Sequence, residues 1–193
     1  NAVFEDDTKE TIQIDSLKYG QDTHLKVCNH LNPETPIKSL TLTSGPGSQI
    51  LAPSTSSSVS DDNLVKEQLC RLRACDILRI AIEKQMCDDT SYRDNLNAFI
   101  EDMTKNDPSP YIENILQDFR DQVKQALNMT TEGNKKGWFD RWGKHYLRSL
   151  LGAYQKEICN NFKDKGVSNF GGTLFGTIRD EISDIFDEMP PPK

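Results

Sequence analysis

His24, Cys28 and His30 have the residue types of a metal site and share parity, so on an extended strand all three side chains point to one face. No fourth ligand accompanies them. The chain holds three histidines in all, and a proline-rich turn lies just beyond, so the expectation is solvent-facing strand residues and no metal. Cys159 and His145 are the types of a nucleophile and its base. They lie fourteen residues apart on one expected helix, which at 1.5 Å per residue separates them by about 20 Å. No proton can pass between them. Nucleophile-elbow, phosphate-loop and zinc-protease patterns do not occur in the sequence. Asn128-Met129-Thr130 has the form of a glycosylation sequon, which a cytosolic protein does not use. The expectation is a chain that is not an enzyme and has no catalytic residue and no cofactor.

One further set of side chains could act by binding. The net charge is -7, which argues against a nucleic-acid partner, because phosphate neutralisation needs a surplus of Lys and Arg. The charge is uneven. Residues 137–166 carry Arg141, Lys144, Arg148, Lys156, Lys163 and Lys165 against Asp140, Glu157 and Asp164. From residue 167 onward, Asp180, Glu181, Asp184, Asp187 and Glu188 outnumber Arg179 and Lys193. Arg141, Lys144, His145 and Arg148 therefore form a candidate interaction surface, whose simplest use is to face the acidic segment of its own chain.

The elements that must hold these residues fall into two kinds. Thr11–Ile14, Thr23–Val27 and Ile37–Leu42 alternate apolar and polar residues, as short strands do. Three such strands cannot bury a sheet face alone, so they are expected to belong to a sandwich or to pack on helices. Residues 44–60, rich in Ser, Pro and Gly, are expected to be a linker without sheet strands. The domains are thus a β-strand segment at 1–43, the linker at 44–60 and a helical bundle at 61–193.

Five helices are expected in that bundle. The first starts after Ser60 with Asp61 and Asp62 in its first turn, runs to about Met86, and carries apolar residues nearly all round. The second has the stripe Tyr92, Leu96, Phe99, Ile100 and Met103. The third has Ser109 as cap and Pro110 at its first position, with Ile112, Ile115, Leu116, Phe119, Val123, Ala126 and Leu127 on one face. The fourth places Trp138, Trp142, Tyr146, Leu150, Leu151, Tyr154 and Ile158 together, includes Gly143 and Gly152, and stops at Gly166. Helix-interior glycines cost about 1 kcal/mol each against Ala, so a close neighbour is expected at both. The fifth begins after Gly171-Gly172 and ends at Pro190. The fold class is α+β, a short antiparallel β segment followed by a five-helix bundle, mostly α.

The chain has 193 residues, of which 35% are hydrophobic and 27% charged, enough for one main core. Cys28, Cys70, Cys75, Cys87 and Cys159 make an odd set without paired spacing, expected to be reduced thiols of a cytoplasmic protein. No run of about 18 apolar residues could span a bilayer, and Asn1 is expected to be an internal cut point of a longer protein.

The stretches Arg141–Leu151, Cys159–Gly166 and Phe170–Phe175 resemble the region that accompanies von Willebrand factor A (VWA) domains in eukaryotic proteins associated with intein-like Hint domains. Leu17–Gln21 and Ile185–Pro192 are similar to that family as well. The resemblance implies a multidomain parent with a VWA domain and, in some relatives, a U-box of the ubiquitin-ligase type. The D-x-S-x-S of a metal-dependent adhesion site and the His-Asn junction of protein splicing do not occur here, so metal binding and self-cleavage are not carried over. The matching residues have structural types. Trp142 and Tyr146 fill a core, Asn160, Asn161 and Asp164 supply hydrogen bonds at a helix end with Phe162 in the same structural motif, and Gly166, Gly171 and Gly172 permit turns. The expected function is a non-catalytic scaffold or protein-interaction module, with protein partners or other domains of the same polypeptide and no nucleic acid or membrane. The alternative is an accessory region of a U-box ubiquitin ligase or an intein-like processing protein whose chemistry lies outside this chain.

Overall fold

A computed structural model describes residues 1–14, 23–44, 47–49, 62–105, 107–129, 137–161 and 163–189, and the chain divides into two compact units, Asn1–Ser60 and Asp61–Lys193. The fold class is α+β and mostly α.

In the first unit, β1 (Ala2–Phe4) lies between β2 (Lys9–Glu10) and β3 (Ile37–Leu40), antiparallel to both. The β1–β2 turn is set by two aspartates. Asp7 takes a left-handed conformation (φ 61), which Asp tolerates better than most residues, and Asp6 Oδ1 accepts from Thr8 N at 3.1 Å. Buried Asn29 ties this turn to the rest of the unit, donating to Asp6 Oδ2 at 2.9 Å and Thr8 Oγ1 at 2.7 Å. A separate hairpin pairs β4 (Leu42–Ser44) with β5 (Gly47–Gln49).

Three expectations change here. Thr11–Ile14 and Thr23–Val27 are not strands, whereas Ala2–Phe4 is. Alternation marks which side chains share a face, but a strand needs a partner backbone, and β3 offers its edge to Ala2–Phe4 instead. Gly47–Gln49 also puts a strand inside the expected linker.

The second unit is built on α1 (Asp62–Met86), which packs against α2 (Tyr92–Lys105), α3 (Pro110–Asp118) and α5 (Lys144–Lys156). Ser60 and Asp61 lie outside the described residues. Instead of apolar contact all round, α1 buries one face, made of Cys70, Arg71, Ala74, Cys75, Leu78, Ala81 and Ile82, while Leu64, Val65 and Leu69 are exposed. The α2 stripe is buried through Tyr92, Leu96, Phe99 and Ile100, with Met103 half-buried. Ser109 caps α3 through Ile112 N, and Pro110 occupies the first turn, where its missing N–H costs nothing.

Past Asp118 the helical rod widens into a π turn at Phe119–Val123 before α4 (Lys124–Ala126), and a second π turn, Phe139–Gly143, leads into α5. A Cβ on Gly143 would lie 2.3 Å from the Ala126 carbonyl oxygen, so only glycine allows α4 this close; Gly152 has no neighbour within 4 Å. Leu147, Leu150, Ala153 and Tyr154 form the buried face of α5, and Trp142, Tyr146 and Leu151 sit at its margin. Trp138 is half-buried and its neighbour Phe139 takes the core position. The buried face is therefore rotated from the expected stripe, because the π turn adds a residue to one turn and shifts every later side chain around the axis.

α5 ends at Lys156, ten residues before the expected stop. Gly166 instead lies within a short helix, α6 (Lys165–Ser168), and α7 (Gly172–Glu188) comes next. Among the described residues no ion pair joins Arg141, Lys144 or Arg148 to the acids of α7, and Asp180 pairs with Arg179 of its own helix. Arg148 donates to Met86 Sδ at 3.3 Å, Arg141 lies over the Trp138 ring, and Ile178, Ile182 and Ile185 of α7 stay exposed.

Candidate functional site

The polar groups most deeply placed in the helical unit converge on Tyr154. Its α5 position between Leu150 and Ala153 on one side and Phe170 on the other leaves the side chain fully buried, so both its hydroxyl and its carbonyl need internal partners. The carbonyl accepts from Arg71 Nη1 at 2.7 Å, and the hydroxyl donates to Asp118 Oδ2 at 2.9 Å. One residue thereby joins two buried charge clusters.

Arg71 is 1% exposed, on the same face of α1 as Ala74, Cys75 and Leu78. Its Nε donates to Gln68 Oε1 at 2.7 Å and lies 3.5 Å from Glu157 Oε1. Glu157 occupies the left-handed position (φ 50, ψ 50) that closes α5, where glycine is the usual residue. The buried ion pair with Arg71 explains a glutamate there: its side chain neutralises a guanidinium that has no access to water.

Asp118, at the last residue of α3, accepts from Tyr154 Oη and from Gly166 N, each at 2.9 Å. Gly166 must be glycine, since a Cβ would lie 2.2 Å from Tyr154 Oη and 3.0 Å from Ile115 Cα. Its role is close approach between α6 and α3, not a turn. Asp164, also buried, accepts from Tyr146 Oη and Asn161 Nδ2, both at 2.9 Å. Asn161 Oδ1 in turn accepts from the backbone of Lys163 and Asp164 at 3.0 and 2.9 Å, a side-chain turn that fixes the loop. Burial raises the Asp118 carboxyl to about 7, with the Asp164 charge adding to the rise and the Tyr154, Gly166 and Lys165 hydrogen bonds opposing it. Burial likewise pushes the Tyr146 and Tyr154 phenols well up.

A carboxyl titrating near neutrality can transfer protons, but only to a molecule that reaches it. Asp118 is 3% exposed, and it does not line any of three well-formed cavities, of 760, 670 and 380 Å³. Its present use is to bind α6 to α3.

The other sequence-derived residues occupy the surroundings. Trp142 packs edge-to-face on Tyr146 with ring centroids 5.4 Å apart. Asn160 donates to Ser149 Oγ at 3.0 Å, anchoring the loop to α5. Gly171 N donates to Ser168 O at 3.1 Å, and Gly172 has a positive φ of 68 at the start of α7. Phe162 lies outside the described residues. Among the surface set, His145 and Arg148 are exposed, and Lys144 borders the 380 Å³ cavity beside Met86 and Phe139. His24, Cys28 and His30 do not share a strand, and His30 Nε2 lies 3.0 Å from Glu10 Oε1. Among the described residues no group of His, Cys, Asp or Glu is placed to hold a metal ion. No helix among them is long and apolar enough to cross a membrane.

The sequence reading missed Arg71, Asp118 and Glu157. The first two left a signal, a charged residue in an otherwise apolar helical register. Glu157 left none, since its burial depends on Arg71, 86 positions away.

The comparisons with known proteins point to the same region. The family described as VWA / Hh protein intein-like matches residues 109–184, less than half of the chain. That stretch, from the α3 cap into α7, is similar to a VWA- and Hint-related region, and it contains Asp118, Tyr154, Asp164 and Gly166 but not Arg71 on α1. No curated protein and no solved structure matched the chain.

Proposed function

We propose that this chain is a non-catalytic scaffold and protein-interaction module of a VWA domain-containing protein, working in the cytoplasm. The observation that carries the reading is where its buried ionisable groups are spent. Asp118, Asp164, Arg71 and Glu157 all hold one helix against another, and the family-matched stretch coincides with that bracing. Such a site supplies shape and rigidity, leaving recognition to the surface. The five cysteines, none of them in a disulfide, support a reducing compartment. Its partners on this reading are proteins or other domains of its own polypeptide, with neither nucleic acid nor membrane involved.

The intein-like half of the family description favours a second reading, an accessory region of an intein-like self-processing protein whose chemistry lies outside this chain; a U-box ubiquitin ligase is the other parent that reading admits. Two measurements separate the readings. On the first, the parent reading frame encodes a VWA domain that binds this chain in calorimetry, and the purified chain keeps its mass for days at neutral pH. A frame without a VWA domain, or a VWA domain that gives no binding heat, overturns it. A Hint or U-box segment in that frame would favour the second reading, with its chemistry outside this chain.

A further inference from the structure

A helix as short as α6 does not hold its shape alone, so its place depends on what it is docked against. It packs mainly on α3 and less on α5. Four ties hold it and the residues that follow it. Gly166 N donates to Asp118 Oδ2 at 2.9 Å, Asn114 Nδ2 to Asn169 Oδ1 at 2.8 Å and Asn169 Nδ2 to Tyr111 O at 3.0 Å, while Phe170 is buried against Tyr111 and Tyr154. Of the side chains in these ties, Asp118 is the one whose charge can change near neutral pH.

The surroundings of Asp118 make that change costly. It faces the Tyr154 hydroxyl of α5, the Asp164 carboxyl just before α6, and the backbone N–H groups of Lys165 and Gly166. Tyr146 of α5 comes within electrostatic reach, with its hydroxyl spent on Asp164. No cation faces the two carboxyls among the described residues. Lys165 is exposed, Arg120 pairs with Glu113, and Arg71 of α1 pairs with Glu157. Two buried carboxyls without a cation do not both carry charge at low cost.

Water cannot enter to share the load while α6 is docked. A Cβ on Gly166 would lie 2.2 Å from Tyr154 Oη and 2.7 Å from Asp118 Oδ2, so the contact is too tight for a methyl group. Solvating an Asp118 carboxylate therefore means moving α6 off α3.

We propose that Asp118 is a proton-operated latch, which keeps α6 seated on α3 when protonated and lets α6 and the root of α7 lift away when ionised, with α1, α2 and α5 still folded. Burial has already brought its carboxyl up to about 7, whereas an opened α6 would return it towards the ordinary 3.8. The closed state then holds a proton that the open state releases, so opening grows from about pH 4 to about pH 7 and levels off above.

Hydrogen exchange of the whole chain, read by mass spectrometry between pH 5 and pH 8 and corrected for the intrinsic rate at each pH, tests this. Opening of a peptide covering residues 164–171 should rise about ten- to hundredfold over that range. Peptides from α2 should stay at least about tenfold more protected at every pH, because they need the whole unit to unfold. Asp118→Asn should flatten the rise. Asp164→Asn, which removes the neighbouring charge, should move it to lower pH, and this variant decides the matter if Asp118→Asn does not fold. A wild type whose opening ignores pH, an equal rise in Asp118→Asn, a rise that Asp164→Asn leaves in place, or α6 opening no faster than α2 would each overturn the latch.

Discussion

The junction of α3, α5 and α6 and the adjoining helix α7 invert each other's chemistry. At the junction, Asp118 and Asp164 are buried and accept hydrogen bonds from Tyr154, Gly166, Tyr146 and Asn161. On α7, Ile178, Ile182 and Ile185 lie open to solvent. Both depart from the usual rule that charge stays outside and apolar surface goes in. The difference separates a region whose polar groups hold helices together from one whose apolar side chains are exposed. Buried charge is costly unless fully partnered, so it persists where the chain's own architecture needs it. Exposed apolar surface is wasted unless something covers it.

The largest test of this contrast removes a charge from the buried side. Arg71→Ala leaves Glu157 buried without its cation and should cost about 3 to 5 kcal/mol in urea unfolding. Arg71→Met in the Glu157→Gln background, which removes both charges at similar volume, should recover most of that loss. If both variants were equally unstable, Arg71 would matter for its packing and the buried ion pair would be incidental.

Acidity gives the next effect. Asp118 in the folded protein holds its proton up to about pH 7, against 3.8 for a free aspartate. Between those values the folded state binds a proton that the unfolded state has released. Stability therefore falls as pH rises from about 4 to about 7, by at most about 4 kcal/mol, and then levels off. Asp118→Asn removes this slope. Its stability relative to wild type should rise by roughly 2 to 3 kcal/mol between pH 5 and pH 8. A pH-independent difference would mean that the Tyr154, Gly166 and Lys165 donors keep Asp118 ionised.

Gly166→Ala comes third. Its methyl group would collide with Tyr154 Oη and press on the α3 backbone, at a cost of about 1 to 3 kcal/mol as α6 is pushed off α3. Near-ultraviolet circular dichroism should register the disturbed Tyr154, and an unchanged spectrum with unchanged stability would deny the close approach. The smallest effect belongs to α7. Ile182→Ser should change the stability of the monomer by about 1 kcal/mol or less, because that side chain is 41% exposed. A loss several times larger would erase the contrast between the two regions.

Local rules carried the sequence reading far in some elements and failed in others. Ser109-Pro110 announced the start of α3 because a cap and a fixed φ act within four residues. The α2 stripe was legible for the same reason, a period set by the helix itself. Thr11–Ile14 alternated like a strand and is not one, because sheet pairing is decided by a distant backbone. The π turn at Phe139–Gly143 shifted the buried face of α5 onto Leu147 and Ala153, which a strict 3.6-residue period does not foresee.

The candidate site divides in the same way. Asn161 and Asp164 form a turn within four residues, and the sequence alone assigned them to a helix end. That Asp164 is buried beneath Tyr146, that Asp118 meets Gly166 across 48 positions and that Arg71 meets the Tyr154 carbonyl across 83 were decided by tertiary packing. Side-chain type and spacing fix what a segment does with its near neighbours, through backbone geometry that repeats everywhere. Which charge is buried, and against what, depends on helices that touch only after the chain has folded, where desolvation makes an unpartnered charge too costly to keep.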